Sequence, residues 1–140
     1  MAEELSCTGL KVLVAEDTPV GQKLMKALLQ AFGCVADVAA NGREAVEKVR
    51  ENDYDVVLMD IMMPVMGGLD ATRAIRAGGN DTLPIIALTA AVMKEDGERS
   101  RAAGLDLFQK KYTMSHKILR KFAEWGHASH GSPSPKGAEK

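Results

Sequence analysis

Three acidic residues stand at the ends of two apolar runs in the sequence. Glu16 and Asp17 directly follow the run at 12–15, and Asp60 follows the run at 55–59. Three carboxylates brought together repel one another, and each resists ionisation unless a cation joins them. Mg²⁺ removes that conflict, because it prefers oxygen ligands and is commonly held by one or two carboxylates together with water. We therefore predict a Mg²⁺ site wherever the fold unites these residues.

A hydroxyl and two ammonium groups follow two further apolar runs. Thr89 follows the run at 84–88, and Lys110 and Lys111 lie just past the short run at 106–108. An acidic pair alone is typical of the start of a helix. A third acid, a hydroxyl and a lysine at other strand ends favour a functional site instead.

The apolar runs themselves predict the strands of a sheet. Those at 12–15, 55–59 and 84–88 are continuous, which is typical of strands covered on both faces in a parallel sheet. The run at 34–38 alternates and the run at 106–108 is brief, so both favour positions nearer the edges.

Helical patterns fill the segments between these runs. Thr18 can cap a helix that starts at Pro19, and Gly33 is a plausible stop. The apolar residues of that helix recur every four positions along one face: Val20, Leu24, Leu28 and Phe32. Asn41 with Glu44 resembles a capping box. A third helix is predicted around Leu69, Thr72 and Ile75, and a fourth at 93–103. A fifth is predicted after Thr113, and its apolar face would consist of Ile118, Leu119, Phe122 and Trp125.

Five alternations of strand and helix predict a flavodoxin-like (βα)5 α/β fold. In this doubly wound sheet five parallel strands lie in the order 2-1-3-4-5, with helices on both faces. Ligands bind beyond the carboxyl ends of such strands, where the strand order reverses. Strands one and three flank that point, so the three carboxylates should converge there, with Thr89 and one lysine on the far side.

Composition places the chain among single globular domains. It has 140 residues, of which 46% are apolar and 26% are charged. The sequence contains no stretch of about 18 apolar residues, so we expect no membrane segment in this chain. Cys7 and Cys34 have neither disulfide-framework nor metal-site spacing, which favours free thiols and a cytoplasmic location.

Charge is unevenly distributed along the chain. Residues 1–108 carry 11 Lys and Arg against 17 Asp and Glu, whereas residues 109–140 carry 7 against 2. We interpret the basic end as a solvated last helix and tail, since no basic run is interleaved with aromatic residues, and predict no direct nucleic-acid binding. The predicted organisation is an N-terminal extension at 1–9, one domain at 10–125 and a flexible tail at 126–140.

The motifs resemble the receiver domain of two-component response regulators. The resemblance rests on VLVAED at 12–17, on DVVLMDIMMP at 55–64 with MGG at 66–68, and on PIIALTA at 84–90. It spans about residues 10–125. The segment EDTPVGQKLM at 16–25 resembles receivers of hybrid sensor histidine kinases.

This resemblance implies the chemistry of the acidic residues. Asp60 would accept a phosphoryl group from the phosphohistidine of a histidine kinase or of a histidine phosphotransfer domain. Asp17, Asp60 and the Met62 carbonyl would bind Mg²⁺, and Glu16 would hold the ion mainly through water. The chain would then be a phosphoacceptor that takes part in Mg²⁺-dependent phosphoryl transfer to itself, rather than an enzyme acting on other substrates.

The resemblance also implies the remaining roles. Thr89 and Lys111 would contact the phosphoryl oxygens, and a shift of Thr89 coupled to a rotamer change of Phe108 would carry the signal. Tyr112 stands where the family usually has proline, which predicts an altered loop beside Lys111.

Other functions fit the sequence less well. A phosphorylation-independent receiver that acts only by protein contacts is the alternative. A flavin or nucleotide site would need a Gly-rich or Ser/Thr-rich phosphate loop after the first strand. Glu16 and Asp17 stand there instead, and their negative charge does not suit phosphate without a metal. An aspartyl phosphatase would need an acid at Met62. Met59, Met62, Met63 and Met66 read as core filler rather than a sulfur metal site. Both a stand-alone regulator and the receiver of a longer hybrid kinase fit the sequence, which favours no oligomeric state.

Overall fold

The computed structural model describes residues 8–80, 82–89, 107–110 and 116–130. In these ranges the strands are β1 (Lys11–Ala15), β2 (Val35–Ala39), β3 (Val56–Asp60), β4 (Ile85–Thr89) and β5 (Leu107–Lys110). The helices are α1 (Pro19–Ala31), α2 (Gly42–Glu51), α3 (Gly68–Ala77) and α4 (His116–His130). The helix predicted at 93–103 and the cap predicted at Thr113 lie outside the described residues.

All strand pairs in the sheet are parallel, and their order is β2-β1-β3-β4-β5. Ala15 at the end of β1 pairs with Met59, and Asp60 at the end of β3 pairs with Leu88. The predicted fold class and strand order are confirmed. The strand order reverses between β1 and β3, which puts their carboxyl ends side by side at one edge of the sheet.

Alternating strand residues fill two hydrophobic cores, one on each face of the sheet. Leu13, Val57 and Ile85 belong to the core with α2 and α3 residues. Their sequence neighbours belong to the core with α1 and α4 residues: Val12, Val56 and Ile86. This two-sided burial explains why the three inner strands are continuously apolar rather than alternating.

The buried face of α1 agrees with the predicted one only in part. Leu28 and Phe32 of the predicted row are partly buried and pack against the core that α1 shares with α4. The helix buries Gly21, Met25 and Leu29, whereas Val20 is 68% and Leu24 is 51% exposed. Only the first half of the predicted row therefore lies at the surface, and Gly21 and Met25 take its place on the buried face. At the first turn of the helix, Gly21 packs against the Glu16 side chain.

Capping of α2 follows the predicted pattern with one difference. The Asn41 side chain accepts a hydrogen bond from the Glu44 amide at 2.9 Å. Glu44 reaches back and accepts from the Ala40 amide at 3.1 Å, one residue before the cap. Together these bonds satisfy two backbone donors at the start of the helix.

Packing of α4 confirms its predicted apolar face. Ile118, Leu119 and Phe122 are buried, and the Trp125 ring lies 6.0 Å from the Phe122 ring. The helix continues to His130, past the predicted boundary at 125. Among the described residues, no helix is long and apolar enough to cross a membrane.

Asp37 on the edge strand β2 joins two side chains from neighbouring segments. The Tyr54 hydroxyl donates to Asp37 Oδ2 at 2.6 Å, and Lys48 Nζ lies 3.6 Å from the same oxygen. The Tyr54 hydrogen bond is the main cause that lowers the pKa of Asp37. Burial is the main cause that raises the pKa of Tyr54, and the bond to Asp37 raises it further.

These two pKa shifts predict stability losses at both ends of the pH scale. Asp37 stabilises the fold above the ordinary carboxyl pKa of about 3.9, and that contribution is lost as the pH falls through its lowered folded value. Tyr54 stabilises the fold below about pH 10, and that contribution is lost as the pH rises through its raised folded value. We expect Tyr54→Phe to weaken the pH dependence of the free energy of unfolding at both the acidic and the alkaline end. The same substitution should lower that free energy by about 1 kcal/mol at neutral pH. Urea unfolding across pH measures this, and a pH dependence unchanged in the variant would contradict it.

Candidate functional site

The carboxylates of Glu16, Asp17 and Asp60 meet at the carboxyl edge of the sheet. One oxygen from each lies within 4.8 Å of the other two. Glu16 and Asp17 directly follow β1, and Asp60 is the last residue of the neighbouring strand β3. Glu16 and Asp60 are buried, at 0% and 1% exposure, while Asp17 is partly exposed. The structure thus brings together the three acids that the sequence analysis singled out.

The arrangement concentrates negative charge and hard oxygen donors. Two unit charges separated by 4.8 Å repel by roughly 3 kcal/mol at an effective dielectric constant of about 20. Three carboxylate oxygens at one partly open point are the donor set that suits a hard divalent cation such as Mg²⁺, which completes its coordination with water. The residues present therefore fit that ion.

Glu16 is fixed by the first turn of α1. Its Oε2 accepts hydrogen bonds from the Thr18 amide at 3.0 Å and from the Thr18 hydroxyl at 2.9 Å. The same hydroxyl accepts from the Gly21 amide at 3.1 Å, so Thr18 both caps the helix and orients the acid. The positive end of the helix dipole also favours a negative charge at this position.

Gly21 is a site-supporting residue that sequence reasoning missed. A Cβ there would lie 2.5 Å from Glu16 Cδ and 2.7 Å from Glu16 Oε2. Only a residue without a side chain allows the helix to approach the carboxylate so closely. The available signal was a glycine within the first turn of a helix, where it costs about 1 kcal/mol relative to alanine.

Asp60 is held by the backbone that follows it. The Met62 amide donates to Asp60 Oδ1 at 3.1 Å. The Ile61 amide donates to the Leu88 carbonyl at 3.2 Å, and the Gly68 amide donates to the Ile61 carbonyl at 3.0 Å. These bonds set the direction in which the loop leaves β3 and the direction in which the Asp60 carboxylate points.

The four methionines near Asp60 do not share one environment. Met59 is fully buried, and Met63 and Met66 pack against the core on the α2 and α3 face. Met62 is 78% exposed. Three of the four therefore fill the core as predicted, whereas the Met62 side chain lies at the surface beside the acidic site.

The other predicted site residues belong to β4 and β5 or follow them. Thr89 ends β4 and pairs in register with Lys110 at the end of β5. Phe108 pairs with Ala87 on the same strands. Because the strands are parallel, Thr89 and Lys110 end at the same edge of the sheet as Asp60. Lys111 and Tyr112 lie outside the described residues.

A family model describes nearly this whole arrangement. The model of the response regulator receiver domain matches residues 12–123. The chain belongs to the receiver domain family. It is a domain of the kind found in two-component phosphorelays, a family of phosphoacceptors rather than of conventional catalysts.

Related receivers come from long signalling proteins. The chain is 43% identical over 117 residues to hybrid signal transduction histidine kinase I of Dictyostelium discoideum, with 78% of this chain and 7% of that protein covered. It is also 43% identical over 117 residues to two-component system protein A of Emericella nidulans, covering 81% of this chain and 17% of that protein. The receiver thus spans a small part of these relatives.

Solved receiver structures share the fold over nearly all of their length. One is the receiver domain of sensor histidine kinase PA1611 from Pseudomonas aeruginosa, which has a magnesium ion coordinated in its active site cleft. It is 36% identical to this chain and has a TM-score of 0.75. The match covers 89% of this chain and 100% of that structure. Another is the receiver of Ssk1 in complex with the histidine phosphotransfer protein Ypd1 from Saccharomyces cerevisiae. That structure is 26% identical, with a TM-score of 0.76 and coverage of 87% of this chain and 92% of the other.

Proposed function

We propose that this receiver domain accepts a phosphoryl group from a phosphohistidine onto Asp60 in a Mg²⁺-dependent reaction. One observation carries the proposal. Asp60 is the last residue of the fully buried strand β3, and its carboxylate lies beside those of Glu16 and Asp17, with one oxygen from each within 4.8 Å of the other two. The structure of a relative with magnesium in its active site cleft supports the choice of ion.

Asp60 is the residue suited to be the nucleophile. Its backbone is fixed in the sheet and the Met62 amide orients Oδ1, so its carboxylate is positioned before the donor arrives. Attack forms a bond between an Asp60 oxygen and phosphorus, and the bond from phosphorus to the donor imidazole nitrogen breaks. The imidazole nitrogen keeps the electron pair of the broken bond and takes up a proton from solvent, so the products are an aspartyl phosphate and a neutral histidine.

Asp17 and Asp60, together with the Met62 carbonyl, would hold the metal. Asp17 is partly exposed, so it can bind an ion that keeps some of its waters, while the buried and anchored Glu16 would act mainly through water. Bound Mg²⁺ would neutralise negative charge on the phosphoryl oxygens, which is the main requirement of phosphoryl transfer.

Thr89 and Lys111 are proposed to contact the phosphoryl group from the other side of the crevice. The end of β4 beside Asp60 supports this role for Thr89. We also propose that Thr89 and Phe108 form the switch: the hydroxyl moves toward the phosphoryl group and the ring then changes rotamer, which shifts the population of receiver conformations.

Substitutions of Lys111 and Lys110 are expected to have different effects on binding at the proposed site. Side chains of adjacent residues on an extended strand point to opposite sides, so only one of the two can reach the crevice. Lys111→Ala should weaken binding of the phosphate mimic beryllofluoride by about 1.5–3 kcal/mol, the range for a charge-assisted hydrogen bond. Lys110→Ala should change stability by no more than about 0.5 kcal/mol. Fluorescence or NMR titration with beryllofluoride compares them, and weaker binding in the Lys110 variant would reverse the assignment.

The proposed phosphodonor is a histidine kinase or a histidine phosphotransfer domain that docks on α1. Val20 and Leu24 are exposed on this helix, which begins two residues after Asp17, and Met62 and Val65 are exposed in the loop after Asp60. A donor imidazole that reaches Asp60 must touch the surface bordering it, and these apolar side chains provide contact area there. The complex of Ypd1 with the Ssk1 receiver supports this type of partner.

The deciding experiment is phosphorylation of the purified chain by acetyl phosphate with Mg²⁺, followed by intact mass measurement and peptide mapping. We expect one phosphoryl group on the peptide that contains Asp60, and no adduct when Mg²⁺ is removed with EDTA. A folded protein that forms no adduct would overturn the proposal and favour a phosphorylation-independent interaction domain.

A further inference from the structure

The first residue of α2 contacts the loop that joins β3 to α3. The Gly42 amide, a helix N-terminal donor with no partner inside its own helix, donates to the Met66 carbonyl at 2.9 Å. A Cβ at Gly42 would lie 2.3 Å from that oxygen and 3.0 Å from Ala71 Cβ. Glycine therefore lets the start of α2 approach the loop closely enough to make this bond.

The loop at this point contains a strained residue. Val65 has a φ of 68°, a conformation that β-branched residues rarely adopt. The Met66 amide donates to the Pro64 carbonyl at 2.7 Å, which closes a three-residue turn around Val65. The Val65 side chain is 70% exposed, so its own packing does not impose the turn. Such conformations persist only where surrounding contacts fix them.

The same loop begins at the proposed phosphoacceptor. Its first residues orient Asp60 through the Met62 amide, and its end is fixed where the Gly68 amide meets the Ile61 carbonyl. Between these points, the Gly42 bond to Met66 fastens the loop to a different helix. Met66 is thus held on both sides, by its amide within the turn and by its carbonyl to α2.

We propose that Gly42 is a positioning residue for the acidic site. By holding Met66, it keeps the strained turn closed and keeps Met62 where its amide meets Asp60. The atoms nearest to a Cβ at Gly42 belong to Met66 and Ala71 rather than to any of the three carboxylates, so Gly42 would act through the loop. The inference rests on the proposed Mg²⁺-dependent function of that site.

The first test compares Gly42→Ala with a matched control, Gly78→Ala. A Cβ at Gly78 would lie 3.4 Å and 3.5 Å from the carbonyls of Ala74 and Ile75, an ordinary contact, and neither glycine has a positive φ. We expect Gly42→Ala to raise the Mg²⁺ dissociation constant by about fivefold or more, the usual lower end of coupling between sites. Amide resonances of the loop residues 61–63, 65 and 66 should shift in that variant. Gly78→Ala should bind Mg²⁺ like the unsubstituted chain.

A rescue experiment separates positioning from general damage. Val65→Asn, added to Gly42→Ala, should recover much of the Mg²⁺ affinity, because asparagine tolerates a positive φ and the turn then needs less support. The proposal would be contradicted if Gly42→Ala alone bound Mg²⁺ as tightly as the unsubstituted chain does. It would also be contradicted if Gly42→Ala lost Mg²⁺ affinity and Val65→Asn did not restore it.

A measurement on the unsubstituted protein decides the case even if Gly42→Ala fails to fold. Coupling is reciprocal, so Mg²⁺ should slow hydrogen exchange of the Gly42 amide more than that of Asn52, which donates to the Lys48 carbonyl at the other end of α2. Equal slowing at both ends would overturn the inference. An unsubstituted chain that binds no Mg²⁺ and takes up no phosphoryl group would instead overturn the proposed function.

Discussion

Asp60→Asn should take up no phosphoryl group from acetyl phosphate and no beryllofluoride at any Mg²⁺ concentration. The amide lacks the anionic oxygen that forms the acyl phosphate, yet it has the same shape and its oxygen can still accept the hydrogen bond from the Met62 amide. Asp70→Asn is the matched control, because Asp70 is an exposed acid of α3 paired with Arg73 at 2.9 Å. Its phosphorylation should be unchanged, and an adduct that persists in Asp60→Asn would show that another residue is the acceptor.

The same substitution should also alter stability in a Mg²⁺-dependent way. Without the ion, removing one of three crowded charges should raise the free energy of unfolding by roughly 1–3 kcal/mol. With saturating Mg²⁺, the unsubstituted chain should gain more than the variant, because a ligand that binds only the folded state stabilises it. Urea unfolding with and without Mg²⁺ measures both values. A variant that is less stable in the absence of Mg²⁺ would show that repulsion does not dominate the cluster.

Gly68→Ala should lower the free energy of unfolding by about 3 kcal/mol, toward the upper end of the range for overpacking. A Cβ at Gly68 would lie 2.3 Å from the Asp60 carbonyl oxygen and 2.9 Å from Ile61 Cα. Those atoms belong to the end of a buried strand and to its first loop residue, so they cannot move aside as an exposed loop can. The start of α3 must shift instead, and the hydrogen bond from the Thr72 hydroxyl to the Gly68 carbonyl, 2.7 Å long, shifts with it.

Gly78→Ala again serves as the control for this measurement. It introduces the same methyl group at the other end of α3, where the nearest atoms lie at ordinary contact distance. We expect its midpoint in urea to stay close to that of the unsubstituted chain. A loss below about 1 kcal/mol for Gly68→Ala would mean that α3 accommodates the side chain by a small rigid shift.

Much of the fold follows from the sequence because its strongest signals are local and repetitive. The continuous apolar runs that end at Ala15 and Asp60 indicate strands that are covered on both faces of the sheet, and the helices that alternate with the strands cover those faces. The convergence of Glu16, Asp17 and Asp60 then follows from topology alone, since parallel strands end at one edge of the sheet.

Features set by contacts between distant segments were not predictable in the same way. The periodicity of α1 predicted the packing of Leu28 and Phe32. It did not predict that Val20 and Leu24 are exposed, because Gly21, which is buried in the first turn, gives no apolar signal. The role of Gly42 depends on Met66, which lies 24 positions later in the chain. The turn at Val65 carries no sequence signal, because valine is a poor residue for a positive φ.

Two exposed apolar residues of α1 lie outside both hydrophobic cores. Val20 and Leu24 are exposed and belong to neither core, so their replacement would leave both cores and the three acids in place. If the proposed donor docks on α1, changes at these two surface side chains would alter which donor is accepted without altering the proposed acidic site. Receivers that differ at these two positions would then keep the same fold and the same proposed chemistry.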